Sequence, residues 1–268
     1  MRSMLYVPGD QPEKLAKAAA RGADALIVDL EDAVPVGRKA EARATVAAWL
    51  RERPRAPVVW VRVNADELLG EDVAAIAGDS PDGVYLPKCS SVAEVDRLVR
   101  ALGEADVPVC ALLETAAGIL DARAIASHPR VTRLAIGEAD LSAELGIDPS
   151  PDERELAPMR AMVVLASAAA HLEPPVGPIS TDFADLEALR ASTVALKRMG
   201  FGGRAAIHPA QVAVINEVFT PTPDEVTRAR ELLERFEASG GGVVTGGDGR
   251  MVDEAIVRAA RRTLAQAG

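Results

Sequence analysis

Arg62, Lys88, Glu114 and Asp140 follow one another at a constant interval of 26 residues. Upstream, the apolar run Ala25–Val28 ends in Asp29, Leu30, Glu31 and Asp32, which puts three carboxylates within four residues. Carboxylates repel one another and resist desolvation, so a hydrophobic segment that finishes in such a cluster needs positive charge nearby. Two carboxylates delivered by successive chain units suit Mg²⁺, which takes octahedral oxygen ligation and keeps several of its waters. Arg62 can clamp a substrate carboxylate with its planar fork. A divalent cation together with an arginine opposes negative charge developing on oxygen, the need of an enolate.

An interval of 26 residues is one strand plus one helix, and the rest of the sequence has that period. Short apolar runs at 3–8, 25–30, 57–63, 83–88, 107–114, 131–138, 174–180 and 204–209 read as strands. Ala-rich amphipathic stretches at 11–22, 38–51, 68–77, 91–103, 115–126, 153–172 and 185–199, and one starting near Ala210, read as helices. Gly22 marks a helix end, and Ser90 or Ser91 a helix start. Eight continuous apolar strands, each followed by a helix, predict an α/β fold of the (β/α)₈ TIM-barrel class with its chemistry at the C-terminal ends of the strands. Those ends supply Asp29, Glu31, Asp32, Arg62, Asn64, Lys88, Glu114, Glu138, Asp140, Ser180, Asp182 and His208. A doubly wound open sheet fits less well, because neither a Gly-x-Gly-x-x-Gly fingerprint nor a phosphate-binding Walker loop is present.

Past the barrel, 224–238 reads as a helix, 240–249 as a Gly-rich hinge, and 252–266 as a final helix. The expected organisation is a catalytic barrel over 1–239 and a hinge with a C-terminal helical extension over 240–268, packed on the barrel or on a neighbouring subunit.

Composition narrows the function. With 49% hydrophobic and 26% charged residues the chain can bury a sizeable core, and with only 3% aromatics that core is aliphatic. A net charge of −10 argues against nucleic acid and anionic membrane surfaces as partners. Cys89 and Cys110 have neither metal nor redox spacing and read as core thiols. There is no signal-peptide pattern and no apolar run of membrane-spanning length, so a cytoplasmic protein is expected. His128 and His171 read as surface or capping histidines, and no histidine pair has zinc-ligand spacing.

The segments LYVPGDQPEKLAKA, IVDLEDAVP, VRVN, YLPKCSS, LLETAAGI, AIGEADLSAELG, AIHPAQV and GRMVDEAIVRAA occur in the order found in the citrate lyase β-subunit-like family of the HpcH/HpaI aldolase superfamily. The chain resembles that family from residue 3 to about 260 and is similar also to malyl-CoA and citramalyl-CoA lyases. The resemblance implies a Mg²⁺-dependent carbon–carbon lyase that cleaves a 3-hydroxyacyl-CoA thioester to an oxoacid and acetyl-CoA, or runs the reverse condensation. It implies direct Mg²⁺ ligation by Glu114 and Asp140, a grip on the oxoacid carboxylate by Arg62, and substrate contact by Glu114 and Lys88. Asp29, Glu31 and Asp32 then surround the metal's waters as further catalytic residues, a cluster expected to hold together only around a cation. Lys14 and Lys17 match the region near the CoA phosphates. Asp253 matches an acid/base that reaches the site of an adjacent subunit in a homotrimer or hexamer. The chain departs from the family at Gln11, where Arg is frequent. That missing charge keeps open an aldolase for free 2-oxoacids, with Lys14, Lys17, Arg38 or Lys39 as substitutes for it if CoA is the substrate. Thioester hydrolysis in the same pocket and a role as the β subunit of a citrate lyase complex stay open as well.

Overall fold

A computed structural model describes residues 1–78, 81–238, 244–245, 251–252 and 254–267. Eight parallel strands close into a barrel in sequence order. They are β1 Ser3–Pro8, β2 Ala25–Asp29, β3 Val58–Arg62, β4 Gly83–Leu86, β5 Val109–Leu113, β6 Val131–Ile136, β7 Val176–Gly177 and β8 Gly203–Ala206. The helices that follow them are α1 Pro12–Ala18, α2 Lys39–Glu52, α3 Leu69–Ile76, α4 Val92–Leu102, α5 Ala116–Leu120, α6 Ala122–Ala126, α7 Glu138–Leu145, α8 Ala157–Ala169, α9 Leu186–Met199 and α10 Pro209–Phe219. The predicted eight-fold repeat is therefore the observed one. Gly22 ends the first helical segment in the left-handed conformation, with φ 77°. Ser91 is the N-cap of α4, where Glu94 accepts the Ser90 and Ser91 N–H groups at 2.5 and 3.2 Å.

Three departures from the sequence reading have local causes. Strand β7 is two residues long rather than seven, because Pro174, Pro175 and Pro178 have no N–H to give to a ladder. The predicted helix 115–126 is two helices broken at Asp121. Strand β6 ends at Ile136, and Glu138 and Asp140 belong to the first turn of α7, where carboxylates favour a helix N-terminus.

Side chains alternate across each strand, so every second residue enters the barrel. The interior holds Met4, Ala25, Ile27, Trp60, Tyr85, Cys110, Leu112, Ala135, Val176 and Ala205. Filling is uneven. On β1, β3 and β4 the rings of Tyr6, Trp60 and Tyr85 interlock edge to face, with centroids 6.5 Å (Tyr6–Tyr85) and 6.1 Å (Trp60–Tyr85) apart. On β6 and β8 the inward residues above the centre are only Ala135 and Ala205. Small residues opposite large ones leave a cavity of about 270 Å³ open to the C-terminal mouth.

The chain divides into two compact units, Met1–Asn216 and Glu217–Gly268. The division falls upstream of the 239/240 boundary drawn from the Gly-rich stretch, because in the second unit α11 Pro223–Ala238 and α12 Glu254–Ala267 share an apolar contact of Phe236 and Val257 with Leu232 and Leu233. The predicted hinge lies outside the described residues except for Val244–Thr245, which pairs antiparallel with Met251–Val252. No described helix is long and apolar enough to cross a membrane.

Candidate active site

Strand register places Pro8, Asp29, Arg62 and Tyr85 side by side on β1 to β4. Arg62, the last residue of β3, lies under the mouth and is 9% exposed. Its Nε donates to Asp29 Oδ1 at 2.7 Å and its Nη2 to Asp29 Oδ2 at 2.5 Å, a bidentate pair. Nη1 lies 3.1 Å from Glu31 Oε2, and the guanidinium sits 4.9 Å above the ring of Tyr6. Asp29 is fully buried, and its two oxygens also accept the N–H groups of Glu31 at 2.8 Å and Ala33 at 3.0 Å. The sequence reading set Asp29 around metal-bound water. In the fold both oxygens are already engaged by protein donors, so Asp29 acts through Arg62, fixing the edge that the arginine turns to the cavity.

Glu31 is buried too, and takes the ammonium of Lys88 as well as Arg62. Burial raises its pKa in spite of those two cations. Asp32 is exposed; Lys88 Nζ stands 3.4 Å from it and holds its carboxyl below the usual range, outweighing partial burial. Partial burial disfavours the Lys88 charge, but Glu31, Asp32 and Glu114 overcome this and keep the ammonium well above the ordinary lysine value. Each of the three clustered carboxylates is therefore paired with Arg62 or Lys88. This corrects the expectation that they cohere only around a bound cation.

Lys88 links that cluster to the second acidic pair. Its backbone has φ 51°, an uncommon left-handed conformation for a residue with a Cβ, and its N–H donates to Glu114 Oε1 at 2.8 Å. Its Nζ is 3.9 Å from Asp140 Oδ2. Glu114, just beyond β5, is 5% exposed, and burial together with the Asp140 charge pushes its carboxyl up to about 7. Asp140 arrives from α7 and is half-exposed on the same cavity wall. Gly137 makes this approach possible, since a Cβ there would lie 2.5 Å from Glu114 Oε2 and 2.7 Å from Glu114 Cβ. Among the described residues no group of three or more His, Cys, Asp or Glu is arranged to hold a metal ion.

Two buried networks hold the loops in place. Lys39 Nζ donates to Leu30 O (2.7 Å), Glu31 O (2.8 Å) and Asn64 Oδ1 (2.8 Å). Asn64 donates to Leu30 O and to the fully buried Asp72, which also pairs with Arg43. Lys39 is thus committed to the β2–α2 loop and not to an incoming ligand. Arg38 is similarly tied to Asp10 at 2.7 Å and to Glu41 at 3.1 Å. On the other side, Arg160 grips Glu138 through two bonds of 2.5 and 2.6 Å and Glu153 through one of 2.7 Å, which anchors the first turn of α7 and with it Asp140. The sequence reading gave neither Gly137 nor Arg160 a role.

The remaining candidates lie elsewhere. Lys14 and Lys17 are exposed on one side of α1, with Gln11 at its N-cap. Ser180 and Asp182 bond within their own loop. His208 stacks on Phe183 at 5.0 Å and accepts the Ala210 N–H at Nδ1, while His128 is held by Asp96. Both cysteines are buried. Asp253 lies outside the described residues.

The sequence pattern of the HpcH/HpaI aldolase/citrate lyase family matches residues 2–209. A (3S)-malyl-CoA thioesterase of Cereibacter sphaeroides is 38% identical over 99% of this chain and 94% of its own length. An L-malyl-CoA/β-methylmalyl-CoA lyase of the same species is 33% identical, with the same two coverages. The crystal structure of CitE from Mycobacterium tuberculosis in complex with magnesium, acetoacetate and coenzyme A superposes with a TM-score of 0.82 at 32% identity, covering 100% of this chain and 98% of that one.

Proposed function

The chain belongs to the HpcH/HpaI aldolase/citrate lyase family, and on that premise we propose that it is a Mg²⁺-dependent enzyme acting on a 3-hydroxyacyl-CoA thioester of the citryl-, malyl- or citramalyl-CoA kind. The observation that carries this reading is one cavity wall bearing Glu114 and Asp140 beside an arginine held rigid by Asp29.

The donor set fits the ion. Glu114 and Asp140 are hard oxygen donors, and a pair leaves octahedral positions for water and substrate. A carboxyl pushed up to about 7 by burial and by the Asp140 charge is the group that a divalent cation would return to the ionised state. When bound, Mg²⁺ supplies Lewis-acid stabilisation of negative charge on the substrate oxygens.

The protein's own residues do the rest. Arg62 has five N–H donors, of which three face Asp29 and Glu31, so two are left to hold the carboxylate of the oxoacid portion. Glu31, Asp32 and Lys88 set the charge of the mouth. Carbon–carbon cleavage needs a base at the substrate hydroxyl and an acid at the thioester carbon as its enolate forms. Asp253 is assigned to that carbon, reaching in from an adjacent subunit of a trimer or hexamer. Lys14 and Lys17, exposed on α1, are assigned to the CoA phosphates.

Thioester hydrolysis is the second reading, favoured by the 38% identity to a malyl-CoA thioesterase. Gln11 keeps an aldolase for free 2-oxoacids in view, and a β-subunit role in a larger complex would show as inactivity without partners. A panel of 3-hydroxyacyl-CoA thioesters and the corresponding free hydroxyacids, incubated with Mg²⁺, separates these. Oxoacid with acetyl-CoA means lyase, free hydroxyacid with CoA means thioesterase, and turnover of free hydroxyacids alone means aldolase. Activity that is untouched by chelation and by Glu114→Ala refutes the metal assignment.

A further inference from the structure

We infer that the hydroxyl of Tyr6 is a substrate-binding donor, giving a hydrogen bond to the same carboxylate that Arg62 holds. The inference rests on the proposed oxoacid-binding function and extends it to a residue outside the charged set.

Tyr6 is the fourth residue of β1; its ring is half-buried and lines the cavity. The ring is fixed from two directions. The Arg62 guanidinium covers its face at 4.9 Å, and Tyr85 meets it edge to face at 6.5 Å. A tyrosine so placed normally finds a partner for its hydroxyl. Among the described residues this hydroxyl has none, although its ring makes both contacts above.

The charged residues of this wall leave part of a bound carboxylate unfilled, and its neutral donors are the tyrosine hydroxyls, of which that of Tyr85 is buried below Tyr6 in the barrel interior. An ionised carboxylate offers about four lone-pair positions, and Arg62 has only two N–H groups left to fill them. Lys88 is engaged by Glu31 and Asp32 on the acidic side. Asp29, Glu114 and Asp140 donate nothing when ionised. Tyr6 stands directly under the guanidinium and adds a donor without adding charge. Burial, with Asp29 and Glu114 close by, resists ionisation of the phenol in spite of Arg62, so the proton stays available for donation.

Titration of the full-length protein with glyoxylate and pyruvate in saturating Mg²⁺ tests this by calorimetry, comparing wild type with Tyr6→Phe. The variant keeps the ring, so its melting temperature and its Mg²⁺ affinity measured without oxoacid are expected to be unchanged. Its oxoacid dissociation constant is expected to rise by roughly 10- to 100-fold, the range for a lost hydrogen bond to a charged acceptor. In turnover the loss should appear in KM more than in kcat. An oxoacid affinity within twofold of wild type overturns the Tyr6 assignment and leaves the proposed function standing. So does a loss seen only together with a lower melting temperature or weaker Mg²⁺ binding. Wild-type protein that binds no oxoacid overturns the proposed function and this subsite with it.

Discussion

Replacing Glu114 by glutamine is expected to make the metal-free barrel more stable at alkaline pH and to leave it nearly unchanged in acid. The folded protein raises this carboxyl from its ordinary 4.5 to about 7, because the group is buried and faces Asp140. That distance corresponds to about 3 kcal/mol. Because the folded pKa is the higher one, the native state binds more protons than the unfolded state between the two values, and stability falls as pH rises through that window. The contribution is fully present below pH 4.5 and is lost above pH 7. Glutamine does not titrate, and its Oε1 can still accept the Lys88 N–H. The stability of wild type minus that of Glu114→Gln should therefore drop by about 3 kcal/mol between pH 4.5 and 8. Urea unfolding in the presence of a chelator measures it. Both tryptophans, Trp49 and Trp60, lie in the barrel unit, so their fluorescence reports on that unit. Adding Mg²⁺ at pH 8 should stabilise wild type and scarcely affect the variant. Stability curves that run parallel across the pH range would refute the idea that burial and Asp140 strain this carboxylate.

Three other substitutions probe the frame around it. Asp29→Ala strands a buried guanidinium and two backbone N–H groups, and should cost roughly 3–5 kcal/mol in urea unfolding; a loss below about 1 kcal/mol contradicts a structural role for the Asp29–Arg62 pair. Lys39→Met removes three hydrogen bonds to the β2–α2 loop, so a loss of about 2 kcal/mol with a parallel fall in kcat/KM is expected, whereas weakened CoA binding with unchanged stability would mean that Lys39 faces the ligand after all. Gly137→Ala drives a methyl against Glu114 and should weaken Mg²⁺ binding, read by calorimetry, by about tenfold or more; an unchanged affinity removes Glu114 from the ligand set.

The barrel was legible because its signal is local and repeated: eight apolar runs, each with a helix behind it, fix the topology without any long-range information. Arg62, Lys88, Glu114 and Asp140 were found by their spacing, although they sit differently. Arg62 ends a strand, Lys88 and Glu114 follow strands, and Asp140 is inside a helix. Unequal loops absorb the difference. What the sequence could not reveal is who pairs with whom. Asp29 meets Arg62 because register sets β2 against β3, and Lys39 turns inward because Leu30 O, Glu31 O and Asn64 converge on it. Both outcomes depend on contacts between residues 8 to 33 positions apart, where residue type alone leaves several partners open. Tyr6 drew no role from the sequence because an aromatic in an apolar strand gives no sign that it lines a cavity.

Lys88 touches one acidic group with its main chain and another with its side chain, and that confines what can evolve at this position. Glycine would accept φ 51° without strain but would leave Glu31 and Asp32 without their ammonium; arginine would keep a cation but not its compact reach; asparagine would tolerate the backbone and lose the charge. Each of these replacements gives up something that the lysine supplies, either the charge or its compact reach to Glu31 and Asp32. Drift at residue 88 would therefore be expected only alongside compensating change at Glu31 or Asp32, so that the three positions form one unit of sequence variation.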